Sequence, residues 1–98
     1  MEVRETTEEG RKVMYVSGRL DTKTAPDLEA RIKSGDIGDS GLVLDLSDLE
    51  YISSAGLRVV LATHKMMVSR GGLTVRNARD TVMEVLDATG FTDVLDIQ

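Results

Sequence analysis

The sequence lacks several residue types on which particular protein classes depend. None of its 98 residues is a cysteine, so disulfides, thiolate metal sites and cysteine nucleophiles are excluded. Only Tyr15, Tyr51 and Phe91 are aromatic, and no basic run exceeds two residues. With a net charge of −5, this composition argues against a base-stacking or phosphate-binding surface. We therefore expect no nucleic-acid partner.

Long apolar runs are missing as well. The most apolar stretch, residues 57–68, is interrupted by Arg58, His64 and Lys65, so it is too short and too charged to span a bilayer. The first residues show no apolar segment of the kind that signal peptides carry. Together with the absence of cysteine, these features lead us to expect a cytoplasmic protein without a membrane partner.

The usual enzyme motifs are absent too, including the phosphate-binding loop, the zinc-protease motif and the dinucleotide-binding motif. Ser54 and Gly56 resemble half of a nucleophile elbow, but Ile52 stands where that motif needs glycine. His64, the one histidine, lies ten residues further along the same predicted helix, about 15 Å from Ser54. We therefore predict a protein that is not an enzyme and holds no metal or cofactor. A small hydrolase using Ser54 is the alternative from the enzyme class.

The length allows one domain, residues 1–98. Alternating apolar residues predict strands at residues 2–6 and 12–17, joined as a hairpin, with Gly18 ending the second strand. Thr24 and Pro26 are typical of a helix start, which Gly35 would end.

The second half alternates between strand and helix patterns. An apolar run at 42–46 predicts a central strand, and residues 47–50 are interpreted as a connector. Residues 57–68 have apolar residues at three- and four-residue spacing, which predicts the longest helix. A strand at 73–76 precedes a helix that Asn77 or Asp80 can cap, while 93–97 stays unassigned. This order predicts an α/β fold with a mixed sheet, because helices between strands favour parallel pairing.

Ser53 and Ser54 stand directly before the longest predicted helix. Serine is a preferred helix N-cap, so capping is the simplest interpretation of both residues. The free amides of a helix start also favour an anion, so a phosphorylated serine is the second interpretation. Four acids could gather at one end of the sheet, where the loops after the strands meet: Asp21, Asp45, Asp48 and Glu50. They could be capping and solvated charges, or an acidic rim around Ser54 that a partner recognises or that holds a weakly bound cation.

The residues 45–61, DLSDLEYISSAGLRVVL, resemble the signature of the STAS domain family, named after sulfate transporters and anti-sigma factor antagonists. Gly18-Arg19-Leu20-Asp21 resembles the Gly-x-Leu-Asp element of that family, and residues 82–91 resemble its last core helix. The resemblance covers nearly the whole chain. It implies a mixed β-sheet with an N-terminal hairpin and helices packed mainly on one side.

For a protein of this size, the resemblance implies an anti-sigma factor antagonist that acts by partner switching. It places the phosphorylated serine at Ser54, with Ser53 as a secondary candidate, and Asp21 near the acceptor. The partners it implies are an anti-sigma factor that is also a serine kinase, and a serine phosphatase. We expect docking through the loop around Ser53 and Ser54, with Asp21 beside it, and through the exposed edge of the following helix. On that helix Arg58 and Val59 are the predicted contact residues, with Met66 a weaker candidate. The protein is expected to be a monomer or weak dimer. The alternative is a STAS scaffold or subunit of a stress-sensing or lipid-transport complex.

Overall fold

The computed structural model describes all 98 residues and contains six strands and three α-helices. In chain order the elements are β1 (Glu2–Glu8), β2 (Arg11–Leu20), α1 (Ala25–Ser34), β3 (Leu42–Asp45), β4 (Leu49–Ile52), α2 (Ser54–Met67), β5 (Leu73–Arg76), α3 (Asp80–Ala88) and β6 (Asp96–Ile97). A short 3₁₀ turn, Phe91–Asp93, follows α3. The predicted α/β alternation is confirmed, with β4 and β6 as additions.

The strands form one mixed sheet in the order β1-β2-β3-β5-β6, and β4 pairs with β2 beyond the end of β3. The β1–β2 hairpin is antiparallel and the other pairs are parallel. Alternate strand residues share one hydrophobic core with all three helices, among them Met14, Leu44 and Val75 from strands and Leu28, Val60 and Val82 from helices. The predicted mixed sheet with helices on one side is confirmed.

The hairpin turn is tighter than the sequence predicts. Only Glu9 and Gly10 form it, with φ angles of 52° and 82°. Two successive residues of positive φ match the twist of the flanking strands. Pairing therefore continues to Glu8 and Arg11, and the prediction that β1 ends at residue 6 is wrong.

The end of β2 also differs from the prediction. Gly18 does not end the strand, and residues 47–50 are not a simple connector, because β4 pairs with the last residues of β2. The register shifts between Gly18 and Arg19, and Gly18 has a φ of 84°. Such a bulge interrupts the two-residue alternation of apolar side chains in β2. The sequence pattern therefore does not indicate that β2 continues beyond Gly18. This extension carries β2 to the loop where α2 begins.

At the starts of α1 and α3, the residues predicted to cap the helix make no capping hydrogen bond through their side chains. Arg79, rather than the predicted Asn77 or Asp80, is the N-cap residue of α3, and its side chain makes no capping bond. Asn77 instead donates from its amide to Asp45 Oδ2 at 3.0 Å. Thr24 holds the predicted N-cap position of α1, but its hydroxyl makes no capping bond.

The unassigned end of the chain completes the sheet. Asp96 and Ile97 pair in parallel with Thr74 and Val75 of β5. Leu95 is buried just before them. A strand of two residues has no periodicity to recognise, so its identity depends on the contact with β5.

Candidate phosphorylation and docking site

The two serines before α2 have different surroundings. Ser53 is the N-cap, and its hydroxyl oxygen accepts a long hydrogen bond of 3.5 Å from the Gly56 N–H. Ser54 is the first helical residue; it is exposed, and its hydroxyl makes no hydrogen bond within the protein. Ser53 therefore takes the capping role, while the Ser54 hydroxyl is reachable from solvent.

Gly56 allows the first turn of α2 to lie directly on the end of β2. A Cβ atom at this position would be 2.8 Å from Leu20 Cγ and 3.0 Å from the Leu20 carbonyl oxygen. The same carbonyl accepts a hydrogen bond from the Ser53 N–H at 2.9 Å. The start of α2 is therefore held against the end of β2 at Leu20, while Ser54 is exposed to solvent.

Asp21 follows Leu20 and organises the adjoining loop. Its Oδ1 accepts hydrogen bonds from the N–H groups of Lys23 at 3.0 Å and Thr24 at 3.2 Å. Burial raises the pKa of Asp21, but these amide hydrogen bonds outweigh that effect and hold the pKa below its usual value. Asp21 is therefore charged at neutral pH, and it lies on the loop beside the start of α2.

Arg58 and Val59 differ in accessibility. Arg58 is exposed on the rim of a groove between α1 and α2. Val59 is only 7% exposed and forms part of the groove floor, so the prediction that it lies on the exposed helix edge is wrong. It packs inward because its position on α2 faces α1 and the core. Met66 lines the far end of the same groove.

The four acids do not form one rim. Asp45 is 3% exposed and pairs with Arg76, Nε to Oδ2, at 2.9 Å on the sheet face away from the helices. Asp48 pairs with Arg79 at 3.9 Å, and Glu50 is exposed. No group of three or more acidic, histidine or cysteine side chains is arranged to hold a metal ion. The interpretation as a cation-binding rim is therefore wrong.

One contact near the site is not evident from the sequence. The Arg19 guanidinium carbon lies 4.3 Å from the centroid of the Tyr51 ring, and Tyr51 is 41% exposed. The two residues face each other because they pair across β2 and β4. The sequence pattern does not predict β4 as a strand, so it does not predict that Arg19 and Tyr51 are neighbours. The stack places a flat cationic surface beside the loop that leads to Ser53.

A profile of the STAS domain family matches residues 1–98. The chain belongs to the STAS domain family. A Bordetella bronchiseptica protein described as an anti-sigma factor antagonist, BtrV, is 35% identical over 91 residues, which are 91% of this chain and 78% of that protein. The family resemblance inferred from residues 45–61 is therefore confirmed.

Solved structures agree with this STAS fold. The anti-sigma factor antagonist from Mycobacterium paratuberculosis has a TM-score of 0.87 and 30% identity, covering 98% of this chain and 83% of that one. SpoIIAA is similar in fold alone: its unphosphorylated form has a TM-score of 0.78 at 17% identity, covering 99% and 88%. The phosphorylated form, from Bacillus, has a TM-score of 0.70 at 16% identity, covering 99% and 91%. None of the helices in this STAS domain combines the length and apolar character needed to cross a membrane.

Proposed function

We propose that this STAS domain protein is an anti-sigma factor antagonist that acts by partner switching. Two similar proteins with that description, at 35% and 30% identity, support the proposal. In its unphosphorylated form the chain binds an anti-sigma factor that is also a serine kinase, and the sigma factor is released. The protein has no catalytic activity of its own, acts in the cytoplasm as a monomer or weak dimer, and is returned to its binding form by a serine phosphatase.

Ser54 is the phosphorylated residue in this proposal. The assignment of Ser54 rests on the different roles of the two serines at the start of α2. Ser53 caps the helix, while the Ser54 hydroxyl is exposed and makes no hydrogen bond within the protein. A kinase can reach Ser54 without breaking the cap. SpoIIAA exists in phosphorylated and unphosphorylated forms, so a protein with this fold can carry the modification.

The docking surface in this proposal surrounds the start of α2. Asp21 on the adjoining loop, Ser53, Ser54 and the exposed Arg58 lie at the contact, and Val59 contributes only through the groove floor. A phosphate at Ser54 adds about −1.5 to −2 charges within this surface. Like charges brought together in an interface cost several kcal/mol. Because each ~1.4 kcal/mol changes affinity tenfold, one phosphate can end the complex.

The helix itself tolerates the phosphate. An anion at an exposed helix start is stabilised by roughly 0.3–1 kcal/mol through the helix dipole and the free amides. The modification therefore alters the surface that the partner contacts and leaves the sheet and core in place.

The test is phosphorylation by candidate anti-sigma kinases with ATP, followed by mass spectrometry to locate the phosphate. We expect phosphate on Ser54 in the wild-type chain and in Ser53→Ala, and none in Ser54→Ala. Ser54→Ala should also bind the kinase irrespective of ATP. Phosphate on Ser53 in both the wild-type chain and Ser54→Ala, or loss of kinase binding by Ser54→Ala, would show that the site is assigned wrongly.

A further inference from the structure

Arg58 is an exposed cation that forms no ion pair, in a chain with 17 acids and 12 bases. None of the ion pairs of the protein includes it. It lies four residues after Ser54 on α2, so the two side chains emerge one turn apart on the same side of the helix. The same surface therefore holds an accessible hydroxyl and an unpaired guanidinium.

We infer that a phosphate on Ser54 binds the Arg58 guanidinium of the same helix, and that phosphorylation thereby removes Arg58 from the docking surface. The inference deepens the proposed function, because it depends on Ser54 as the modified residue. An acid that precedes a base by four residues is the favourable order of an ion pair on a helix. The planar guanidinium can also donate two parallel hydrogen bonds to phosphate oxygens.

The acids around Arg58 are engaged elsewhere. Glu29 of α1, which lines the same groove, pairs with Lys33 at 3.6 Å. Asp21 on the adjoining loop accepts hydrogen bonds from the amides of Lys23 and Thr24. The first turn of α2 contains no acid. A phosphate on Ser54 is therefore the anion that Arg58 meets within its own chain.

The pairing gives phosphorylation two effects on the docking surface. The phosphate adds negative charge at Ser54, and it also neutralises Arg58, which in the unphosphorylated chain is available to a carboxylate of the partner. Part of the affinity that is lost on phosphorylation then comes from the lost contact between Arg58 and the partner. The loss of affinity caused by phosphate and the loss caused by removing Arg58 should therefore overlap rather than add.

The experiment uses the full chain with phosphoserine incorporated at position 54 during translation, so that no kinase is needed. The second ionisation of the phosphate is followed by ³¹P NMR as the pH is varied. Arg58→Gln should raise the pKa of the phosphate by about 0.3 of a pH unit. Arg58→Lys, which keeps the charge, should retain most of the wild-type value.

Lys65→Gln is the matched control, because Lys65 is exposed on α2, forms no ion pair and lies far from Ser54 along the helix. It should titrate like the wild-type chain. Identical titration of Arg58→Gln and wild type, or an equal shift in Lys65→Gln, would overturn the inference. Circular dichroism verifies that each exposed-site variant is folded. Failure of a kinase to modify Ser54 would instead count against the proposed function and leave this result unaffected.

Discussion

Two polar regions of the protein use charge in opposite ways. On the sheet face away from the helices, Arg76 donates to both carboxylate oxygens of Glu8 at 2.9 and 3.2 Å, to Asp45 at 2.9 Å and to the Tyr15 hydroxyl at 3.1 Å. We call these four residues the Arg76 cluster. At the start of α2, Ser54 and Arg58 are exposed and make no side-chain hydrogen bond. The difference separates polar groups that hold strands together from groups left available for binding.

The Arg76 cluster is a structural element of the fold. The hydrogen bonds that Arg76 donates to the Glu8 and Asp45 carboxylates raise the pKa of Arg76 above its usual value, and the same bonds from Arg76 lower the pKa of Glu8. Burial raises the pKa of Asp45, but hydrogen bonds from the Ser47 amide and from Arg76 outweigh it and lower the pKa overall. Glu8, Asp45 and Arg76 are therefore charged at neutral pH, and their ion pairs connect β1, β3 and β5.

The largest expected effect on stability comes from breaking this cluster. Asp45→Asn removes the buried carboxylate from Arg76, which keeps only Glu8 as an ionic partner. We expect the free energy of unfolding to fall by about 2–3 kcal/mol, measured by urea denaturation at pH 7. The control is Asp48→Asn, whose exposed pair with Arg79 at 3.9 Å should change stability by less than about 0.5 kcal/mol. Equal losses in the two variants would refute the structural role of the cluster.

The same carboxylate predicts a pH dependence. The pKa of Asp45 is lower in the folded protein than its usual value, so its stabilising contribution is present at neutral pH and is lost as the pH falls through the folded pKa. The stability difference between wild type and Asp45→Asn should therefore be constant from pH 7 to 5 and should shrink below about pH 4. Denaturation curves of both proteins at these pH values measure it; a difference that grows on acidification would contradict the assignment.

A smaller effect tests how the start of α2 is held against the sheet. In an exposed helix, replacing glycine with alanine is stabilising by about 1 kcal/mol. Gly56→Ala should have the opposite sign and destabilise by about 2 kcal/mol, because the new Cβ meets Leu20 and Ile52 at 2.8 and 2.9 Å. Thermal or urea unfolding decides the sign, and a stabilised Gly56→Ala protein would show that this contact is not tight.

The smallest expected effect separates the two serines. Ser53→Ala removes the N-cap hydrogen bond and should cost about 0.5–1 kcal/mol of unfolding free energy. Ser54→Ala removes an exposed hydroxyl without a partner and should stay within about 0.5 kcal/mol of wild type. Paired denaturation curves compare them directly. The reverse order of stabilities would mean that Ser54, not Ser53, caps the helix.

The fold could largely be predicted because its central strands and helices have clear periodicity. The exceptions are short or irregular elements. The bulge after Gly18 masks the last residues of β2, with which β4 pairs, so the sequence pattern does not predict β4. The two residues of β6 have no pattern of their own. The predicted helix 57–68 includes the apolar Val68, which lies just beyond the end of α2 and is 69% exposed. The polar Thr63 is buried instead, and its hydroxyl donates to the Val59 carbonyl at 2.7 Å.

The site was predictable in position but not in detail. The motif around residues 45–61 identifies the start of α2, yet spacing alone left capping and phosphorylation open for both serines. Their different surroundings depend on how the first turn of α2 lies against Leu20, a close approach that the absence of a Cβ atom at Gly56 permits. Likewise Asp45 stands at the end of a strand much as Asp21 does, but only the fold reveals that Arg76 lies opposite Asp45. Such long-range pairs have no local sequence signal.

The central claim is that a phosphate on Ser54 changes recognition and leaves the fold intact. The most direct measurement is a binding titration of the anti-sigma kinase with the same chain in unphosphorylated and Ser54-phosphorylated forms, after their unfolding midpoints have been compared. We predict matching midpoints and an affinity at least about a hundredfold lower for the phosphorylated form. Equal affinities, or a loss of affinity accompanied by a clearly lower midpoint, would contradict it.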